Sequence, residues 1–278
     1  MANVFLNGEY LPLDQAKVSV LDRGFTFGDG VYEVFLVYQR KIFRFEEHLR
    51  RLNDSLAAIY MDNPYTTGEW QTILYKLVEE NPAVNQSLYL QVTRGVSERD
   101  HSIFLSKTPT VFAMSKALPQ RNFDQGIKAI TSEDIRWKLC SIKAITLLPS
   151  VLLRHQASLE NAVEAILLRD DHVTEGAASN VFIVSADKIV TPPKDGSLLP
   201  GITRDLVVEL LNDAGLDCIE AAITRAELLK ADEIWITSST WEIVPVTSLD
   251  NKPVGNGKPG PVWQKAVEIY QNFKNSPH

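Results

Sequence analysis

Apolar and polar positions are arranged from the first residues so as to form extended structure. Val4-Phe5-Leu6 and Glu9-Tyr10-Leu11 flank Asn7-Gly8, two residues that tolerate positive φ, so a β-hairpin is expected. Tyr32 to Tyr38 and Ile42 to Phe45, β-branched and aromatic around the polar Gln39-Arg40-Lys41, predict a second hairpin. The period then changes. Leu49, Leu52, Leu56 and Ile59 recur at three and four, predicting a helix over 46–59 with acidic residues in its first turn. On that helix His48 borders the apolar stripe, and Arg51 follows three residues later on the same side. A further helix is expected over 67–80, with strands over 87–94 and 109–114.

The stretch from Lys116 to Gly126 contains Pro119, Asn122 and Asp124 and little apolar material, which marks an interdomain linker at 119–125. It separates a small domain, 1–118, from a larger one, 126–278. In the larger part strands are expected over 127–131, 162–169, 180–184 and 188–191, and a helix over 148–160 with Pro149 in its first turn. The clearest helix spans 203–214: Thr203 as N-cap, Leu206, Val207, Leu210 and Leu211 as buried stripe, Gly215 as stop. The tail beyond Asn272 is expected to fray.

Composition narrows the function classes. A chain of 278 residues with 45% apolar and 23% charged residues has the make-up of a soluble globular protein of about two domains. Lys and Arg number 28 against 35 acidic residues, a net charge of -7, so there is no general footprint for nucleic acid or an anionic membrane, although a local cationic pocket for a small anion remains open. Cys140 and Cys218 are the only cysteines, which fits a reducing cytoplasm and argues against a disulfide framework or a cysteine-rich zinc site. His48, His101, His155, His172 and His278 show no metal-ligand spacing, so no metal is expected. Neither a signal peptide nor an apolar run approaching the ~18 residues of a membrane span is expected.

Gly24, Gly28 and Gly30 fail as a dinucleotide fingerprint, because Glu33 stands where the last glycine belongs and a strand follows. Lys252 and Pro259 likewise break a P-loop around Gly255 and Gly257. Lys143, inside the run from Cys140 to Leu148, is less ordinary. A lysine so placed snorkels, pairs with a carboxylate, or acts as a nucleophile or base. Three features would suit a phosphate: the helix start Gly201-Ile202-Thr203-Arg204, the hydroxyls Ser238-Ser239-Thr240 after a strand, and the charge of Arg51. Singly, each also reads as a cap, a polar turn or a solvated charge. Glu175 reads either as a surface turn carboxylate or as the partner of a bound pyridine nitrogen.

Several strings together resemble the fold-type IV pyridoxal-phosphate enzymes: Asp22-Arg23-Gly24 through Gly28-Asp29-Gly30 to Tyr32-Glu33, His48 to Leu52, the Lys143 run, Thr174-Glu175-Gly176 to Asn180, and Gly201 to Arg204. The family includes D-amino acid transaminases, branched-chain aminotransferases and aminodeoxychorismate lyase. The resemblance covers about residues 3–250 and implies an α+β fold of two domains, the larger with a β-barrel-like core. It implies pyridoxal 5'-phosphate held as a Schiff base on Lys143, with Glu175 at the ring nitrogen and Arg51, Ile202, Thr203, Ser238 and Ser239 at the phosphate. The stretch Thr93-Arg94-Gly95 to Arg99-Asp100-His101 looks like the D-amino acid transaminases. This implies that Arg99 and His101 trap the substrate carboxylate with Tyr32, reaching into the neighbouring subunit of a homodimer.

Arg136, in Asp134-Ile135-Arg136-Trp137, follows the same pattern as a contact behind the site. Ser141, Ala144, Thr146 and Ala177-Ala178 depart from that subgroup and leave room for an altered substrate range. The reaction implied is transamination of D-amino acids such as D-alanine with 2-oxo acids such as pyruvate or 2-oxoglutarate, in the cytoplasm. The alternatives are a transaminase of L-branched-chain amino acids or (R)-amines, an aminodeoxychorismate lyase, and, outside enzymes, a small-anion or amine-binding protein on the same scaffold.

Overall fold

The computed structural model describes residues 3–103, 108–186 and 188–276; His278 lies outside them. The chain divides into two compact units, Met1–Gln120 with Ile142–Leu147, and Arg121–Ser141 with Leu148–His278. A single linker near 119–125 does not account for that return: the segment bearing Lys143 belongs to the first unit.

In the first unit β1 (Asn3–Leu6) and β2 (Glu9–Pro12) form a hairpin, with Asn7 at φ 50° and Gly8 at φ 99°. There follow α1 (Arg23–Phe27), β3 (Gly30–Tyr38), β4 (Lys41–Ile42), α2 (Phe45–Ala58), α3 (Thr67–Glu80), β5 (Gln86–Thr93) and β6 (Thr110–Ala117). The strands build one six-stranded sheet in the order β2-β1-β6-β5-β3-β4, antiparallel throughout. Leu49, Leu52 and Leu56 of α2 and Trp70, Leu74 and Leu77 of α3 cluster with Phe35, Leu88 and Leu90 of the sheet. Each fully buried side chain of this kind contributes about 1.5–3 kcal/mol. Phe45, expected at a strand end, instead opens α2, because Arg44 at φ 54° turns the chain and the Phe45 ring packs between Phe35 and Tyr75. Ile142–Leu147 lies along the start of β3: Tyr32 N donates to Lys143 O and Ile145 N to Gly30 O, both at 3.0 Å. A Cβ on Gly30 would meet Val92 O at 2.6 Å, so only glycine admits this close layering.

The second unit contains β7 (Ile127–Glu133), α4 (Leu148–Leu159), β8 (Glu164–Arg169), β9 (His172–Gly176), β10 (Asn180–Ser185), β11 (Lys188–Thr191), α5 (Ile202–Asp213), β12 (Cys218–Glu220), α6 (Arg225–Lys230), β13 (Glu233–Ser238), β14 (Glu242–Leu249), β15 (Lys252–Pro253) and α7 (Pro261–Asn275). Its nine-stranded sheet runs β12-β11-β10-β13-β14-β7-β8-β9, with β15 on β14. The pairs β11–β12, β14–β7 and β7–β8 are parallel. The last strand in that order, β9, turns back beside β10, so the sheet curls. Alternate residues Val181 and Ile183, Ile234 and Ile236, and Val244 and Val246 fill the inside of the curl. Phe182 and Trp235 stack on the opposite face. The fold is a two-domain α+β architecture with a half-barrel in the larger part.

Three local expectations need correction. Thr203 is not the N-cap of α5. Gly201 is, and Thr203 is buried in the first turn, because Gly201 packs so tightly on Asn180 that the helix begins earlier. The chain beyond Asn272 stays helical to Asn275, since Lys274 Nζ and Gln271 Nε2 bond to Glu242 at 2.9 and 2.5 Å. Leu210 is only half-buried, leaving Leu206, Val207 and Leu211 as the stripe of α5.

Candidate active site

Two sets of polar side chains stand out, one in each unit. In the first, Lys143 N donates to Ser55 Oγ at 3.2 Å, and the Lys143 ammonium lies 4.3 Å from the centroid of the Tyr32 ring. Tyr32 in turn stacks on Tyr89. The register of β3 alternates, so the next residue, Glu33, points to the opposite side and falls in phase with the buried Val31, Phe35 and Val37.

A carboxylate on that face needs partners, and α2 supplies them. Arg51 donates from Nε and Nη2 to Glu33 at 2.7 and 2.8 Å, and His48 Nδ1 lies 2.8 Å from Glu33 Oε2. All three are buried, so Arg51 is not a solvated helix charge. Burial alone would raise the Glu33 carboxyl, but the Arg51 fork and His48 hold it far below the usual range. Burial pushes the His48 imidazole down, against the pull of Glu33.

In the second unit Glu175 is the penultimate residue of β9 and is buried, which overturns its reading as a surface turn carboxylate. It accepts from Arg136 Nη1, from Asn180 Nδ2 at 3.2 Å and from Leu199 N at 3.1 Å. Arg136 is shared: its Nε and Nη2 bond to Asp134 at 2.9 and 2.8 Å, and Arg169 also reaches Asp134 at 2.8 Å. Burial pushes the Glu175 carboxyl up to about 7, with Arg136 and the Leu199 N–H opposing and the Asp134 charge adding to the rise.

Asn180 ties this carboxylate to the start of α5. A Cβ on Gly201 would overlap Asn180 Oδ1, so the helix can begin there only with glycine. No side chain caps α5, and its first hydrogen bond runs from Asp205 N to Gly201 O at 2.9 Å. The amides of Ile202 and Thr203 thus precede the first intrahelical bond and suit an anion. Asn180 also faces Thr237 in the β10–β13 register, which brings the end of β13 to the same neighbourhood. Thr237 Oγ1 is buried without a hydrogen-bond partner among the described residues. Ser238 closes β13 and Ser239 follows in the turn to β14, both half-buried. Open helix amides, clustered hydroxyls and an orphaned buried hydroxyl, next to a buried carboxylate of near-neutral proton affinity, fit a phosphorylated pyridine.

Arg99 and His101 lie elsewhere in the first unit, exposed on the loop after β5, and meet on one ring: Phe27, with Arg99 Cζ 5.2 Å and the His101 ring 5.5 Å from its centroid. Tyr32 has its own neighbours, Tyr89 and Lys143. Among the described residues no cluster of metal-ligating side chains occurs, and no helix is long and apolar enough to cross a membrane.

Sequence reading passed over Glu33 as a site residue. Its signal was a glutamate in phase with three apolar strand residues, followed by a His and an Arg three apart on the next helix. Arg136 was expected from the resemblance as a contact behind the site; that its partner there is Glu175 had no signal of its own, because the two are joined only through space.

The profile of the family Amino-transferase class IV matches residues 30–249. The D-alanine aminotransferase of Bacillus licheniformis is 41% identical over 271 residues, covering 97% of this chain and 96% of that protein. Among solved structures, the branched-chain aminotransferase of Thermoproteus uzoniensis with norvaline has a TM-score of 0.90 at 27% identity, covering 98% of this chain and 94% of that one. The branched-chain amino acid aminotransferase of Escherichia coli has a TM-score of 0.87 at 27% identity, covering 98% and 93%. With its half-barrel, its buried Glu175 and the open start of α5, this chain belongs to the class IV aminotransferases.

Proposed function

We propose that the protein is a pyridoxal-phosphate-dependent transaminase of D-amino acids such as D-alanine, working with 2-oxo acids as a cytoplasmic homodimer. The observation that carries the substrate assignment is the pairing of Arg99 and His101 on the Phe27 ring: two donors for one carboxylate, exposed on the single chain and therefore available to a neighbouring copy. The near full-length likeness to D-alanine aminotransferases supports the same reading.

When bound, pyridoxal phosphate supplies the electron-withdrawing ring that makes the substrate Cα–H acidic. Everything else falls to the chain. Ile202 and Thr203 amides and the Ser238 and Ser239 hydroxyls hold the phosphate, with Arg51 as counter-charge whose fork is fixed by Glu33. Glu175 keeps the proton on the ring nitrogen. The Lys143 amine anchors the cofactor, then takes the proton from Cα and returns it as general base and acid. Tyr32 with the partner's Arg99 and the partner's His101 orients the α-carboxylate.

The structural likeness to branched-chain aminotransferases favours a second reading, activity on L-branched-chain substrates or (R)-amines. The half-reaction separates them. Mixed without oxo acid with D-alanine, L-leucine or an (R)-amine, the protein is expected to lose its cofactor absorbance quickly with D-alanine alone; fast loss mainly with L-leucine or the amine would sustain the second reading. Lys143→Ala should lower turnover by on the order of 10³-fold or more with an unchanged melting temperature. Full activity in that variant would remove Lys143 from the mechanism.

A further inference from the structure

The loop that bears Arg99 and His101 is fastened from beneath by α1. Asp22 caps α1 through Gly24 N at 2.7 Å and accepts from Thr93 Oγ1 at 3.0 Å and Thr110 Oγ1 at 2.6 Å. Arg23 N donates to Gly95 O at 2.8 Å, and Asp22 and Val96 form an antiparallel bridge, so the loop leaves β5 along α1. The decisive contact is further out: Arg23, nearly fully buried, donates from Nη1 to Asp100 O at 2.6 Å. Asp100 is the residue between Arg99 and His101.

The Arg23 fork is itself held by Asp29, through Nε at 2.8 Å, and Asp29 is held by Arg94 at 2.8 and 3.1 Å. Asp100 Oδ1 accepts from Ser102 N at 2.7 Å, which stiffens the far side of the loop. With the central carbonyl pinned, the side chains on either side of it fall on one floor. That floor is the Phe27 ring, which has the Arg23 guanidinium at 4.7 Å and the Arg99 guanidinium at 5.2 Å from its centroid, both within cation–π range, and the His101 ring at 5.5 Å. Two long polar side chains on a solvent-facing loop would otherwise lose much rotamer freedom on meeting a ligand.

We propose that Phe27 and Arg23 are positioning residues for substrate: Arg23 pins Asp100 and Phe27 seats Arg99 and His101 side by side, so that the carboxylate-binding pair is set in place before the carboxylate arrives. The inference rests on the D-amino acid reading above. It makes the Phe27 ring a determinant of carboxylate affinity although it touches no reacting atom.

The test uses the cofactor-loaded enzyme with Phe27→Leu and Phe27→Tyr. Phe27→Leu should raise KM for D-alanine by roughly five- to tenfold, the loss of a cation–π seat and of preorganisation, with kcat within about twofold. The inhibition constant of propanoate, a carboxylate that cannot react, should rise by the same factor. Phe27→Tyr keeps the ring and should restore both, and melting temperatures should agree across the set. Arg23→Lys keeps the charge but loses the fork that serves Asp29 and Asp100 together, and should shift KM and the propanoate constant in the same direction. An unchanged propanoate constant in Phe27→Leu, or equal losses in Phe27→Leu and Phe27→Tyr, would overturn the proposal. Failure of wild-type enzyme to act on D-alanine would instead overturn the substrate reading itself, and the two failures are read on different proteins.

Discussion

Glu33 and Glu175 are the same residue type, both buried and both bound to an arginine, and they hold protons in opposite ways. Glu33 is kept ionised far below the usual carboxylate range, whereas Glu175 is pushed up to about 7. The difference lies in how each arginine is spent. Arg51 gives Glu33 two parallel donors, and His48 adds a third partner. Arg136 gives Glu175 one nitrogen and turns its other two bonding groups to Asp134. A bidentate pair offsets the desolvation of its carboxylate, and a shared guanidinium does not. The first carboxylate is an anchor; the second is left responsive to whatever sits beside it, which is what its proposed pairing with a ring nitrogen requires.

The largest effect should come from breaking the anchor. Glu33→Gln leaves the Arg51 charge buried without its counter-ion, and loss of one partner of a buried pair costs about 3–5 kcal/mol. Chemical denaturation should register that loss, together with weaker cofactor binding as the Arg51 fork loses its seat. The pH dependence has a definite sign: because the folded-state value of Glu33 is depressed, its contribution is complete above the ordinary 4.5 and is lost as the pH falls toward the folded value. An unaltered stability in Glu33→Gln would show that Arg51 does not depend on it.

For Glu175 the sign reverses. Its folded-state value lies above the ordinary 4.5, at about 7, so the folded protein binds the proton more tightly and stability falls as the pH rises from 4.5 to 7. At about 1.4 kcal/mol per unit, the cofactor-free protein should lose ~3 kcal/mol across that range. Glu175→Gln should flatten the profile, and loading with pyridoxal phosphate should also flatten it, because a protonated ring nitrogen stabilises the ionised carboxylate. In the loaded enzyme Glu175→Gln should lower kcat by on the order of 10²–10³-fold. A profile as steep in Glu175→Gln as in wild type would assign the slope to another group.

The two carboxylates also differ in how far they could be read without coordinates. Local signals were strong where the chain decides its own structure. Asn7-Gly8 specified its turn, the leucine spacing specified α2, and α3 covers the expected 67–80 behind the Thr66–Glu69 capping box. α1 was not legible, since five residues are too few to be helical alone and Asp22 is fixed by Thr93 and Thr110, which are remote in sequence. Nor was the return of Ile142–Leu147 to the first unit, which depends on hydrogen bonds to β3. By contrast α7 was open to reading and was missed: Pro261 occupies its first turn, and Trp263, Ala266 and Tyr270 recur at helical spacing. Lys143, Glu175 and the residues proposed for the phosphate stood out as strings, whereas the contacts of Arg51 with Glu33 and of Arg136 with Glu175 exist only once the chain is folded.

The smallest test is aimed at the joint that couples Glu175 to the start of α5. Gly201→Ala sets a Cβ into the space of Asn180 Oδ1, and Asn180 donates both to Glu175 and to Leu199 O, the latter at 2.9 Å. Asn180 must therefore shift or the helix must back away. Overpacking of this kind costs about 1–3 kcal/mol, well below the loss expected at Glu33. If the side chain gives way, Glu175 loses a donor to its ionised form, and the pH at which stability falls should move further up. If the helix gives way instead, the amides of Ile202 and Thr203 are displaced, and affinity for pyridoxal phosphate should drop while the pH profile of the cofactor-free protein stays as it is. The stability profile and a cofactor titration on one variant distinguish the two, and either result ranks the carboxylate and the start of α5 by rigidity.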